Sequence, residues 1–170
     1  MRIAKIERNS IANGPGIRLV VWCQGCSIHC PGCHNQETWD PDGGEHITQF
    51  DIISIFEELE KPWIRGITFS GGHPLEDYNI KGVIELAESI KDRFPEKDIW
   101  LYTGKELTLE DIKSDNDIGT CLQLCDVVID GPYIEDQRDI TLPYCGSKNQ
   151  RLIDIQQSLK NNNIVMWRNT

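Results

Sequence analysis

The stretch Ile17-Arg18-Leu19-Val20-Val21-Trp22-Cys23-Gln24-Gly25-Cys26-Ser27-Ile28-His29-Cys30-Pro31-Gly32-Cys33 changes character midway. Ile17–Trp22 is β-branched and mostly apolar, the pattern of a strand buried on both faces. Cys23 continues that strand and reads as a core residue. From Gln24 to about Glu45 the chain is polar and rich in Gly and Cys, which reads as a loop. A strand of this kind belongs to a parallel sheet covered on both sides by helices.

The rest of the chain repeats the pattern. Gly66–Ser70, Asp98–Tyr102 and Asp126–Asp130 read as strands, each closed by a Gly-containing pair. Thr48 and Asp51 resemble a capping box ahead of a helix that places Ile52, Ile55, Phe56 and Leu59 on one face and ends at Pro62. A second amphipathic helix runs from about Asn79 to Phe94, with Ile80, Val83, Ile84, Ala87 and Ile90 inward and Pro95 as a stop. Helical turns are expected at Thr108–Lys113 and Ile118–Leu124. Tyr133–Gln150 reads as a long loop, and Leu152–Ile155 and Ile164–Trp167 as late strands. Strands alternating with helices predict an α/β fold of βα units with a mostly parallel sheet. The Cys-rich loop, Gly71-Gly72, Thr103-Gly104 and Asp130-Gly131 then share the carboxyl edge of that sheet, where α/β folds bind ligands. A closed eight-stranded barrel takes about 250 residues. The 170 residues here predict a partial, open TIM-like barrel forming one domain over 1–170.

Lys plus Arg is 17 and Asp plus Glu is 27, a formal net charge of −10. Such a chain repels nucleic-acid backbones and anionic membrane surfaces. No apolar run approaches the roughly 18 residues of a membrane span. Met1–Arg8 is interrupted by polar residues too soon for a signal peptide. The expected location is the cytoplasm, where disulfides are rare, so seven cysteines point to metal or redox chemistry.

Cys26, Cys30 and Cys33 form a C-x3-C-x2-C run within one loop. Soft thiolates select zinc or iron–sulfur clusters. A structural zinc takes four closed ligands, and a 4Fe–4S cluster is normally held by four cysteines. Three cysteines leave one iron with an open position, where a substrate or cofactor binds. The alternative is a structural metal with Cys23, His29 or His34 as fourth ligand. Cys121 and Cys125 lie four apart on a helical face and read as small buried hydrophobes; Cys145 lies in a polar loop. His29 reads as a surface or hydrogen-bonding residue and His46 as a loop residue. Trp39, Trp100 and Trp167 have two readings: they line a binding face, or, as is usual on strand-like segments, they are core or near-core. Glu57, Glu58, Glu60, Glu85 and Glu88 read as solvated helix faces. Asp130 has two readings: it hydrogen-bonds a ribose from the strand end, or it caps the turn at Gly131-Pro132.

The cysteine run at the end of a first strand resembles the signature of the radical S-adenosylmethionine enzymes, with Ser70-Gly71-Gly72-His73-Pro74-Leu75 at the place of their glycine-rich motif. Asn13-Gly14-Pro15-Gly16, Asn35 with Glu37-Thr38-Trp39, Asp98–Leu101 with Thr103-Gly104, Asp130-Gly131, and Gly146-Ser147 with Asn149-Gln150-Arg151 follow in order. That set, from about Asn13 to about Asp154, resembles the glycyl-radical-enzyme activases that serve anaerobic ribonucleoside-triphosphate reductase.

The resemblance implies an oxidoreductase in which Cys26, Cys30 and Cys33 hold one 4Fe–4S cluster per chain. S-adenosylmethionine would bind the open iron. Gly32, Cys33 and His34 would flank it, Gly71 and Gly72 would admit its methionyl part, and His73 and Asp130 would complete the cofactor-binding set. Reductive cleavage would give a 5′-deoxyadenosyl radical that takes hydrogen from a glycine of the reductase large subunit. The implied partners are that glycyl-radical subunit, a low-potential electron donor such as flavodoxin, and a second copy in a homodimer. Two residues depart from the pattern. His73 stands where an acidic residue is usual, which predicts cofactor binding that is weaker or sensitive to pH between 6 and 8. His34 replaces an aromatic, hydrophobic residue. Other readings are radical chemistry on a small molecule, a zinc-stabilised adaptor, and a ferredoxin-like electron carrier.

Overall fold

The computed structural model describes residues 1–168. The strands are β1 (Arg2–Ser10), β2 (Ile17–Cys23), β3 (Glu45–His46), β4 (Ile64–Gly71), β5 (Asp98–Tyr102), β6 (Val127–Asp130) and β7 (Arg151–Asp154). The helices are α1 (Gln49–Leu59), α2 (Ile80–Arg93), α3 (Leu109–Lys113), α4 (Asp117–Leu124) and α5 (Ile155–Asn161). They build an α/β fold on one sheet of order β3-β1-β2-β4-β5-β6-β7. β2, β4, β5 and β6 run parallel, while β1, β3 and β7 join antiparallel at the flanks. No pairing joins β3 to β7 among the described residues, so the sheet is not closed.

The central strands are where the apolar runs placed them. Leu19, Val20, Val21, Ile67, Phe69, Ile99, Leu101, Val128 and Ile129 have no exposed surface. Each such side chain contributes about 1.5–3 kcal/mol by leaving water. Thr48 and Asp51 form the expected capping box, and Thr108 and Asp111 form a second one at α3. α2 buries Ile80, Val83, Leu86, Ala87 and Ile90 against the sheet, with Ile84 at the margin of that face.

Near the start of β2, Arg18 is fully buried. Its guanidinium donates to Thr68 Oγ1 at 2.9 Å and the Ile67 carbonyl at 2.8 Å, and pairs with Asp98 at 2.5 Å. Burial holds its pKa below the ordinary value, and Asp98 opposes that shift. This cation pins β2, β4 and β5 at the end of the sheet opposite the cysteine loop.

Several expectations need correction. β1 was not foreseen. Register shifts between Ile3 and Lys5 and between Glu7 and Ser10 break the period of two that marks a strand in sequence. His46 belongs to the short edge strand β3 and not to a loop. Glu58 is buried, because its carboxylate meets Lys61 at 2.7 Å and Arg8 at 3.5 Å; Glu57, Glu60, Glu85 and Glu88 are exposed as expected. The late strand spans Arg151–Asp154, and Ile155 opens α5, because Asp154 caps that helix by accepting from Gln157 N at 2.8 Å. Ile164–Trp167 is not a strand and contributes one isolated bridge, Met166 to Ile153. Trp100 is core, whereas Trp167 is half-buried and packs edge-on to it at 5.0 Å. No helix among the described residues is long and apolar enough to cross a membrane.

Candidate functional site

β2 and β4 pair in parallel as far as Cys23 and Gly71, so the cysteine loop and the Gly71-Gly72 turn leave the sheet side by side. Two hydrogen bonds tie these exits together: Gly72 N donates to the Cys23 carbonyl and His73 N to the Gly25 carbonyl, both at 2.8 Å. Gly71 has φ +95°, and a Cβ there would lie 2.7 Å from the Cys23 carbonyl oxygen. A Cβ at Gly72 would run into the Gly25 carbonyl. Only glycine allows this approach of two backbones.

The cysteine loop is braced from within. Gly25 N donates to the Thr38 carbonyl at 2.7 Å, and Cys26 N to the Trp39 carbonyl at 3.1 Å. His29, exposed and with φ 50°, stacks on Trp39 at 4.6 Å between ring centres. Cys26, Cys30 and Cys33 are half-buried, and their loop forms one wall of a cleft together with Ile28, Asn35 and Trp39. Ser70, Gly71, Gly72 and His73 form the facing wall at the end of β4. Tyr102, Thr103 and Gly104 enter from β5, and Gly131, Tyr133 and Gln150 from the β6 side. The expected sharing of one sheet edge by these turns is therefore seen.

Six of the expected site residues line the cleft: Cys26, Cys30, Cys33, Gly71, Gly72 and His73. Gly32 lies behind its wall, against Tyr133 and Glu135, and His34 is exposed, edge-on to Tyr133 at 5.4 Å. Asp130 fits neither of its readings. It is fully buried, accepts from Leu107 N at 2.8 Å and Arg151 Nε at 3.0 Å, and pairs again with Arg151 Nη2. It joins β6, β7 and the turn after β5, and it does not line the cleft. Trp39, read as core or near-core with a binding face as the alternative, is half-buried and lines the cleft. Tyr102 and Tyr133 were not foreseen there, since nothing in their local pattern marks them; Gln150 belongs to the Asn149-Gln150-Arg151 segment of the resemblance but was given no place in the site.

His73 is buried, and both ring nitrogens are engaged. Nε2 lies 2.8 Å from Thr103 Oγ1 and Nδ1 lies 3.0 Å from Glu76 Oε1. Glu76 also accepts from Ser27 N at 2.9 Å and Ser27 Oγ at 2.6 Å. A carboxylate only accepts, so Nδ1 carries the proton and Nε2 receives the Thr103 hydroxyl. Burial lowers the His73 pKa, against the opposing pull of Glu76. The ring's titration therefore lies on the acid side of its ordinary value. Burial pushes the Glu76 carboxyl up, but the hydrogen bonds from Ser27 and His73 outweigh it and leave a lowered pKa. Glu76 escaped sequence reading; its spacing of three from His73 was the available signal.

The other thiols are separate from the cleft. Cys23 is fully buried and its thiol is pushed up to about 12 by burial. Cys121 and Cys125 are buried as expected, and Cys145 is half-buried. Among the described residues no three His, Cys, Asp or Glu side chains gather tightly enough to hold one metal ion. A 4Fe–4S cluster binds each thiolate through a different iron. Three soft thiols of one loop, all lining one cleft, fit that group.

Residues 12–153 match the family described as a 4Fe-4S single cluster domain. The anaerobic ribonucleoside-triphosphate reductase-activating protein of Enterobacteria phage T4 is 39% identical over 152 residues, covering 89% of this chain and 93% of its own length. The protein of that name from Vibrio cholerae is 38% identical over 142 residues, covering 82% and 89%. The one from Escherichia coli K12 is 34% identical over 142 residues, covering 82% and 90%.

The chain belongs to the anaerobic ribonucleoside-triphosphate reductase-activating protein family. The family's 4Fe-4S domain takes in every residue that lines the cleft. It begins after β1, which places that strand outside the matched segment as a flank of the sheet.

Proposed function

We propose that this chain is a radical S-adenosylmethionine activase that installs a glycyl radical on the large subunit of anaerobic ribonucleoside-triphosphate reductase. One observation carries the reading: three cysteines of one loop face the Gly71-Gly72 backbone across a single cleft, which no other cysteine lines among the described residues. Cys26, Cys30 and Cys33 would hold the cluster and leave one iron open toward that backbone. Cluster and S-adenosylmethionine together would supply the one-electron reductive chemistry that generates the radical passed to the reductase glycine.

The chain's own residues do the positioning. Gly71 and Gly72 admit the methionyl part close to the backbone. Tyr102, Thr103, Tyr133 and Gln150 wall the cleft and limit the entry of water. Ile28 seats against Gly104, where a Cβ would lie 2.6 Å from its Cδ1, and so fixes the middle of the cysteine loop. The same reading takes residues 1–170 as one domain, the unclosed sheet as a partial barrel, and the setting as cytoplasmic, with a low-potential donor such as flavodoxin and a homodimeric state.

Three cysteines on the cleft, and not four, favour a cluster with one open iron over a closed zinc site, which takes four ligands. Anaerobic reconstitution with iron and sulfide, followed by EPR of the reduced protein with and without S-adenosylmethionine, tests the reading. A 4Fe–4S signal that changes on addition of the cofactor supports it. A signal indifferent to the cofactor points to an electron carrier, and a colourless protein holding one zinc points to an adaptor.

A further inference from the structure

His73 brings an imidazole into the cleft, and its two nitrogens are spent on Thr103 and Glu76. The negative charge next to it is the Glu76 carboxylate, whose side chain is only 14% exposed. A single oxygen, Oε1, receives three donors: Ser27 N, Ser27 Oγ and His73 Nδ1. Ser27 adjoins Cys26. Beyond His73 the chain of bonds continues to Thr103 Oγ1, which accepts from Lys105 N at 3.2 Å. One carboxylate thus connects the start of the cysteine loop with the turns that leave β4 and β5. Charge-assisted bonds of this kind are about twice as strong as neutral ones. Removing the acceptor would leave the buried His73 N–H without a partner, a costly arrangement.

We propose that Glu76 is a positioning residue of the cleft, anchoring the cysteine loop at Ser27, the residue after Cys26, and fixing the tautomer of His73. The part that concerns cluster loading rests on the proposed activase reading; the part that concerns the loop does not.

The test uses the full chain under anaerobic conditions as wild type, Glu76→Ala, Glu76→Gln and Ser27→Ala, each checked for folding by circular dichroism. Before reconstitution, alkylation of each cysteine is followed by peptide mass spectrometry, and the His73 tautomer by long-range nitrogen–proton NMR. In Glu76→Ala, Cys26 is expected to react about tenfold faster, the scale of one charge-assisted hydrogen bond, while Cys145 is unchanged. His73 loses its fixed Nδ1–H form in that variant. Glu76→Gln keeps an acceptor at the same reach and stays close to wild type in both readouts. Ser27→Ala raises only the Cys26 rate and leaves the tautomer alone, which keeps the test decisive should Glu76→Ala misfold. After reconstitution, Glu76→Ala retains less iron and sulfide per chain and shows an altered reduced EPR signal.

Wild-type labelling and tautomer in Glu76→Ala would overturn the proposal. So would a Glu76→Gln that labels as fast as Glu76→Ala, since that traces the effect to charge on the thiol and not to the hold on the loop. No rise at Cys26 in Ser27→Ala would overturn it as well. A wild type that takes up no iron would refute the activase reading instead, and labelling and NMR would still decide the role of Glu76.

Discussion

Replacing Asp130 by Asn separates a structural carboxylate from a ligand-binding one. Asp130 has no exposed surface and offers both oxygens to protein donors, Arg151 and Leu107 N. The substitution removes the charge opposite Arg151 and turns one acceptor into a donor that faces the guanidinium. Breaking a buried pair from one side costs roughly 3–5 kcal/mol. The Arg151 side chain is 30% exposed and rehydrates in part, so the lower end, about 3 kcal/mol, is the expected loss. In a chain of this size 1 kcal/mol moves Tm by roughly 2–4 °C, so Tm should fall by about 6–12 °C. The assay is anaerobic thermal unfolding followed by circular dichroism, with S-adenosylmethionine affinity measured well below the transition. Affinity is expected to stay within about threefold of wild type, because Asp130 does not line the cleft. A Tm within 2 °C of wild type together with a tenfold loss of affinity would refute the reasoning and return Asp130 to the ribose.

Gly71→Ala should lower stability by on the order of 1–3 kcal/mol, since φ +95° is strained for any residue with a Cβ, and should weaken S-adenosylmethionine binding more than tenfold; calorimetric binding and unfolding of one preparation check both. Ser in place of Cys26, Cys30 or Cys33 should cut bound iron sharply, whereas Cys145→Ser should leave it unchanged, as read by iron and sulfide analysis. His73 has a lowered folded pKa, so as pH falls below about 6.5 the unfolded chain takes up the proton first; its neutral form stabilises the fold fully above that pH and progressively less below it. Urea unfolding at pH 5.5 and 7.5 should show a loss at the lower pH that is smaller in His73→Asn.

The central sheet was legible because its strands are apolar on both faces. Val20, Ile67 and Val128 need no partner to be recognised as interior. The cysteine loop was legible for a different reason: three thiols in eight residues serve no purpose in a polar loop unless they converge. β1 was hidden by its register shifts, and the start of α5 by a residue, Asp154, that serves strand and helix cap at once. Glu58 and Asp130 were misread because burial of a carboxylate depends on cations far away in sequence. Arg8 lies 50 positions from Glu58 and Arg151 lies 21 from Asp130, separations no local pattern reveals. The Glu76 network was hidden likewise, since its partners Ser27 and Thr103 meet only after the sheet has formed.

Both margins of the open sheet are finished by very short segments. On one side β3 contributes two exposed residues, and on the other the outer face of β7 is covered where Asp154 N and the Val165 carbonyl, and Trp167 N and the Leu152 carbonyl, are joined at 2.9 and 2.8 Å. A long bare margin is a template on which further chains can add themselves strand by strand. The β7 side offers none, but β3 pairs with β1 only at Arg2 and Ile3 and leaves the rest of that strand's outer margin bare, where a net charge of −10 keeps copies apart at a distance. The consequence is colloidal: on the β1 side, resistance to edgewise aggregation falls to charge and not to a covering strand, so it should weaken as salt rises.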